Sequence, residues 1–133
     1  MIKGMTKGDT FSLDYAITPK VYCGFIDLFG DNNPLHTDVN FAQRNGFSSE
    51  VMHGNILGGF LSHFIGERLP VKNVIIHSQE FHFLRPCHLN DILTFKAIVR
   101  DVFESVHVVE FDFAFRNVQG VKVAKGKINL GIL

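Results

Sequence analysis

After Pro70 the chain carries four runs, 74–84, 91–104, 106–118 and 121–132, in which apolar and polar residues alternate. Successive strand side chains point to opposite faces, so a period of two gives each run one apolar and one polar side. In VVEFDFAFRN, Phe111, Phe113 and Phe115 share one side while Glu110, Asp112 and Arg116 share the other. Leu93, Phe95, Ala97 and Val99 repeat the pattern, and NVQG at 117–120 reads as a turn between the last two runs. Consecutive amphipathic strands with short connections predict an antiparallel sheet with one apolar face. Fourteen phenylalanines against two tyrosines and no tryptophan predict a Phe-rich core with few polar handles.

The first half is of mixed character. Residues 10–17 read as a short strand, and Thr18 followed by Pro19 has the form of an N-cap with proline in the first helical position. A helix to about Phe29 should follow and stop at Gly30. Residues 31–37, DNNPLHT, are too rich in Asn and Pro for regular structure and read as a loop. Asp38 can cap a short helix, VNFAQRN, that Gly46 closes. From Gly54 to Leu69, GNILGGFLSHFIGERL is apolar or small nearly all round in its first ten or so residues, which marks a buried helix ended by Pro70. Its glycines at 54, 58, 59 and 66 each cost about 1 kcal/mol against alanine. A sheet lying very close to the helix axis would explain them; a weak helix is the alternative. The expected architecture is an α+β hotdog fold, a curved antiparallel sheet wrapped around a central helix, with residues 1–133 as a single domain.

Composition narrows the function classes. With 46% apolar and 20% charged residues the chain can bury a core. Thirteen basic against thirteen acidic residues give no support for a general nucleic-acid grip or a basic membrane patch. Cys23 and Cys87 are too few for a disulfide framework, and Cys23 reads as a small core residue rather than a nucleophile. The N-terminal MIKGMTKGDT lacks the apolar segment of a signal peptide. The most apolar run, Val51–Gly66, is interrupted by His53, Asn55, Ser62 and His63 and is shorter than the ~20 residues of a membrane span. A soluble, cytoplasmic protein is expected. The seven histidines are scattered, and no pair at helical spacing is joined by a third ligand, so no metal site is expected.

Two segments could carry chemistry. In GDNNPLHTD, Asp31 and His36 stand five apart on a loop pinned by Pro34. A carboxylate and an imidazole on one rigid loop can bracket a water, one taking a proton and the other giving one, as addition of water to an activated double bond requires. From spacing alone, Asp31 as a turn cap and His36 as a polar surface residue is the better reading. In EVMHGN, residues 50–55, the unpaired N–H groups at the start of the buried helix could hold a ligand oxygen, with Gly54 allowing close approach. Taken alone, Gly54 for tight packing is the better reading of that segment.

Read together, the two segments resemble the hydratase motif of the MaoC-like family, the (R)-specific enoyl-CoA hydratases and related dehydratases. The matching residues, in order, are Asp31, Asn33, Pro34, His36, Asp38, Ala42, Phe47, His53 and Gly54. FHFLRPCHLNDILTF, residues 81–95, is similar to the strand–turn–strand stretch that follows the central helix in that family. The resemblance implies Asp31 and His36 as the catalytic pair, Asn33 holding the water or the loop, and the Gly54 N–H binding the thioester carbonyl. It also implies Ser62 as a support for the catalytic loop and His53 as a structural partner near the helix start. Asn55, where an apolar residue is common, and Asn90, where glycine is usual, depart from the pattern.

The activity so implied is reversible addition of water to a trans-2-enoyl-CoA to give an (R)-3-hydroxyacyl-CoA, with no metal and no redox cofactor. Dehydration of a 3-hydroxyacyl group on acyl carrier protein is the nearest alternative. A hotdog thioesterase, for which His63 and Glu67 would be the acid/base pair, and a non-catalytic acyl-thioester sensor are the others. Arg85, Lys72, Lys96 and Lys125 could meet the phosphates of coenzyme A, although solvated charges at strand ends are the simpler reading. A homodimer or dimer of dimers is expected, because one such layer leaves a sheet edge and one side of the helix uncovered.

Overall fold

The computed structural model describes residues 4–133, so the first three residues of the MIKGMTKGDT segment lie outside it. Its sheet has five strands, β1 (Thr10–Ala16), β2 (Val74–Phe83), β3 (Ile92–Phe103), β4 (Val108–Arg116) and β5 (Lys122–Ile132). They lie in the order β1-β3-β4-β5-β2 with every pair antiparallel. The alternation read from the sequence sets the faces. Val109, Phe111, Phe113 and Phe115 of β4 are buried, and Leu93, Phe95, Ala97 and Val99 of β3 are buried beside them. Register shifts at Ile76/Ser78, Val99/Asp101 and Phe115/Arg116 bend the sheet, as an extra residue in one strand does.

Helix α1 (Pro19–Phe29) begins and ends as its sequence predicts: the Thr18 side chain accepts from the Val21 N–H, and Gly30 stops the helix in the left-handed conformation. Within the expected loop 31–37, Pro34–Thr37 makes a helical turn, α2, capped by the Asn33 side chain. Asparagine and proline disfavour helix interiors but suit helix starts, and that is where Asn33 and Pro34 sit. Asp38 caps α3 (Val39–Arg44), accepting from the N–H groups of Asn40 and Phe41.

The central helix α4 covers Asn55–His63 and is shorter than the sequence implies: Phe64–Arg68 is a π-helical turn, and Leu69 is already extended. Ile56, Leu57, Phe60, Leu61, Phe64 and Ile65 turn toward the sheet. The close-approach explanation of its glycines holds at Gly54 but not at Gly58, Gly59 or Gly66. A Cβ at Gly58, Gly59 or Gly66 would meet nothing within 4 Å, and only at Gly54 would it touch a neighbour, the Phe83 ring at 2.9 Å. Gly59 and Gly66 are on the exposed side of the helix, and phenylalanine rings fill the space between its buried side and the sheet. The Phe64 ring lies 4.8 Å from that of Phe95, 5.5 Å from Phe11 and 6.1 Å from Phe111. A backbone approach tight enough to require glycine occurs instead at Gly126 in β5, where a Cβ would fall 1.7 Å from the Glu80 carbonyl oxygen.

Other differences are local. His107, at φ +54°, separates β3 from β4 after a single 3₁₀ turn, so the third run starts at Val108. Cys23, read as a core residue, is exposed on α1, whereas Cys87 is buried. No helix among the described residues is long and apolar enough to cross a membrane.

Phe64 is fully buried and touches rings from β1, β3 and β4. Phe64→Ala should therefore cost about 3–5 kcal/mol in urea unfolding; a loss near 1 kcal/mol would mean that the helix does not depend on this ring.

Candidate active site

Asp31, His36, His53 and Gly54 line one cavity of about 550 Å³, whose wall also includes Phe25, Asn55, Phe83, Arg85 and Cys87. Each is placed by backbone chemistry. Asp31 precedes α2, and its Oδ1 accepts from the Asn33 N–H at 3.1 Å, which leaves Oδ2 for the cavity. Asn33 in turn accepts from the Leu35 N–H. His36 stands on α2, with its carbonyl held by the Tyr22 hydroxyl at 2.6 Å. Burial, reinforced by the Glu50 carboxylate, pushes the Tyr22 phenol up, so it stays a donor.

The ring nitrogens follow from their partners. His36 Nδ1 lies 2.7 Å from the Val51 carbonyl, which can only accept, so Nδ1 carries a hydrogen. In the neutral ring, Nε2 is then the bare nitrogen, and it faces Asp31 Oδ2 at 3.9 Å. That gap is too long for a direct hydrogen bond and suits an oxygen bonded to both at about 2.8 Å. His53 Nε2 donates to the Asp31 carbonyl at 2.9 Å, and its Nδ1 is buried without a partner. The His53 and His36 rings lie against each other tilted, with centroids 3.9 Å and planes 31° apart, and the Phe25 ring lies 4.7 Å from that of His53.

Asp31, His36 and His53 bring potential ligand atoms within 4.8 Å of one another. One nitrogen of each imidazole is already committed to a carbonyl. The uncommitted atoms are Asp31 Oδ2, His36 Nε2 and His53 Nδ1, and the first two face each other closely enough to move a proton between them through a bridging oxygen.

Gly54 opens α4 in helical conformation with no side chain capping the helix. The first N–H groups of α4 are therefore at the cavity wall with the positive end of the helix dipole. Asn33 and Ser62 do not line the cavity. The Asn33 side chain serves the α2 turn, and Ser62 is exposed about two turns beyond Gly54, rotated to another side of α4. His63 shares a 2.8 Å hydrogen bond with Tyr15, whose phenol is pushed by burial up to about 12, and neither His63 nor Glu67 reaches the cavity. Of the candidate phosphate contacts, Arg85 lines the cavity, Lys72 bonds the Gly66 carbonyl, and Lys96 and Lys125 lie on the outer face of the sheet. Tyr22, Phe25, Val51, Phe83 and Cys87 have no motif-level signal. Val51 acts through its carbonyl, which every residue has.

The same architecture occurs in known proteins. A family model described as MaoC like domain matches residues 5–113. A 3-hydroxybutyryl-CoA dehydratase of Methylorubrum extorquens is 33% identical over 95 residues, 71% of this chain and 60% of that protein. The chain thus spans less than two thirds of that relative's length. An (R)-specific enoyl-CoA hydratase of Rhodospirillum rubrum is 30% identical over 105 residues, 79% of this chain and 73% of the relative. Among solved structures, an (R)-hydratase from A. caviae involved in PHA biosynthesis superimposes with a TM-score of 0.89 at 24% identity, over 98% of this chain and 99% of that one. An R-hydratase from Pseudomonas aeruginosa gives 0.86 at 25% identity, over 96% and 82%.

His53 ties α4 to the loop through one buried donor. His53→Leu should leave the Asp31 carbonyl unpaired and cost about 1–3 kcal/mol, with faster amide exchange confined to residues around 31–37. Unchanged stability and exchange would show that the loop holds without this bond.

Proposed function

The chain belongs to the MaoC-like family, and from that premise we propose that it adds water reversibly to a trans-2-enoyl-CoA, giving an (R)-3-hydroxyacyl-CoA. The observation that carries the reading is the facing of His36 Nε2 and Asp31 Oδ2 across 3.9 Å at the start of an uncapped helix. The substrate thioester carbonyl lies toward the Gly54 N–H, where the helix start stabilises the enolate oxygen that develops as water attacks. A water held between Oδ2 and Nε2 adds its oxygen to C3. One proton of that water goes to the Asp31–His36 pair, and the pair delivers one to C2. His53 holds the loop, and Asn33 holds the turn that carries His36. The hydratase and dehydratase names of the relatives support this assignment.

The free enzyme is proposed to be a homodimer or a dimer of dimers built from one domain, residues 1–133, in the cytoplasm, where coenzyme A thioesters are made and used. Support for self-association comes from β2, an edge strand exposed along most of its length, and from the apolar groove between α1 and α4. That groove, of about 910 Å³, shares Phe25, Asp31 and Asn55 with the cavity and is flanked by Leu28 at 79% and Phe29 at 71% exposure. A second protomer seated there would close the site from water. Sedimentation at micromolar concentration should show no stable 15.0 kDa species; a monomer would remove the shared-site arrangement.

Crotonyl-CoA hydration, read as loss of the enoyl-thioester absorbance without release of thiol, tests the activity. Asp31→Asn and His36→Ala should each lower turnover about 10²–10⁴-fold. The double variant should be little worse than either, because the two groups act on one water. Full activity in either single variant removes that residue from the mechanism, and thiol release without hydration would make the protein a thioesterase.

A further inference from the structure

The outer face of the sheet, on the side away from α4, carries charge that the proposed reaction does not use. Register places Ser12, Lys96, Ala114, Lys125 and His82 side by side in one row across all five strands. On one side of this row Arg116 stands opposite Lys122; on the other, Ile98, Asp112, Lys127 and Glu80 are aligned. Together these residues line a depression of about 750 Å³. Six cations, Lys96, Arg100, Arg116, Lys122, Lys125 and Lys127, meet there with two carboxylates, Glu80 and Asp112. The surplus of four positive charges stands on a chain whose formal net charge is zero.

Asp112 pairs through Oδ2 with Arg100 while its Oδ1 has no partner, and Glu80 lies 3.2 Å from His82. Asp14, two strands from Arg116, accepts from Thr94 and does not line the depression. Among the described residues, Lys96, Arg116, Lys122 and Lys125 have no ion pair. The small side chain of Ala114 leaves the middle of the row low. Neighbouring strands are about 4.8 Å apart, so the Lys96 and Lys125 backbones stand roughly 10 Å apart across it. Two ammonium groups on flexible stems at that spacing can reach successive phosphates of one chain, with Arg116 and Lys122 closing a third side.

We propose that this groove binds the phosphate chain of a polyphosphorylated small molecule, a diphosphate or triphosphate laid across β4 over Ala114. A second copy of the chain would set these cations against themselves and is disfavoured as the occupant. Two sources share the chemistry: a free nucleotide, or the diphosphate in the coenzyme tail of a thioester.

Calorimetry with inorganic triphosphate at low salt tests the site itself and does not depend on the hydration reading. The wild type should bind saturably. The Lys96→Gln/Lys125→Gln double variant and Ala114→Glu, all at exposed or half-buried outer-face positions, should each weaken binding by at least about tenfold. Lys7→Gln, outside the groove, should leave it unchanged. Absence of saturable binding to the wild type, or equal affinity in the groove variants, overturns the proposal. The source is read from a second arm, which rests on the proposed hydration: KM for crotonyl-CoA against crotonyl-pantetheine, which lacks the phosphates. A rise in the double variant for crotonyl-CoA alone assigns the groove to the coenzyme tail. An unchanged KM for both, with triphosphate binding lost, assigns it to a separate nucleotide.

Discussion

The fully buried Phe64 ring sits against Phe11, Phe95 and Phe111, and through it the end of the central helix is fixed to three strands of the sheet. Earlier turns of the same helix add Phe60, stacked on Tyr15 at 4.7 Å, and the buried Ile56, Leu57 and Leu61. Burying one such aromatic side chain stabilises by about 1.5–3 kcal/mol, so several together outweigh the helix cost of Gly58 and Gly59. Because the helix axis is held in this way, its first residue is held too. Gly54 and the adjoining His53 then have fixed positions, and His53 reaches the Asp31 carbonyl at 2.9 Å. The loop that carries Asp31 and His36 takes its place from the core through this short chain of contacts.

Within the cavity, two carbonyl oxygens do most of the electronic work. Val51 takes the hydrogen of His36 Nδ1, and Asp31 takes that of His53 Nε2. Each bond selects the tautomer of the neutral ring, and in that form His36 has its bare Nε2 facing a carboxylate. A pair so arranged can accept a proton without moving a side chain. Burial, with the Asp91 carboxylate, raises the neighbouring Cys87 thiol to about 11, so this side chain is a neutral thiol beside Arg85 in the cavity wall at neutral pH.

The sheet separates its chemistry by face. One side supplies the phenylalanines of the core, and the other gathers cations from β3, β4 and β5 into one depression. Period-two alternation permits both at once, since each strand gives every second side chain to each side. A neutral overall charge therefore coexists with a strongly positive local field.

Much of this was legible in the chain itself. Period-two runs in β3, β4 and most of β5 determined which residues face inward, whereas the edge strand β2 with its bulge is exposed along most of its length. Thr18, Asp38 and Gly30 marked helix ends, because caps and alternation are local chemistry. Asn90 takes the left-handed conformation, φ +69°, a position that asparagine tolerates better than most residues. The linear motif also brought Asp31, His36, His53 and Gly54 into view as a group. Tertiary structure decided the rest. The early end of α4 at the π-helical turn, the outward-facing positions of Gly59, Ser62 and Gly66, and the exposure of Cys23 on α1 depend on which side of each helix meets the rest of the molecule. The state of His36 rests on the Val51 carbonyl, fifteen residues away, and the basic groove rests on the register of five strands. Backbone acceptors and cross-strand neighbours carry no mark in a sequence, since any residue can supply a carbonyl and only pairing decides which side chains stand together.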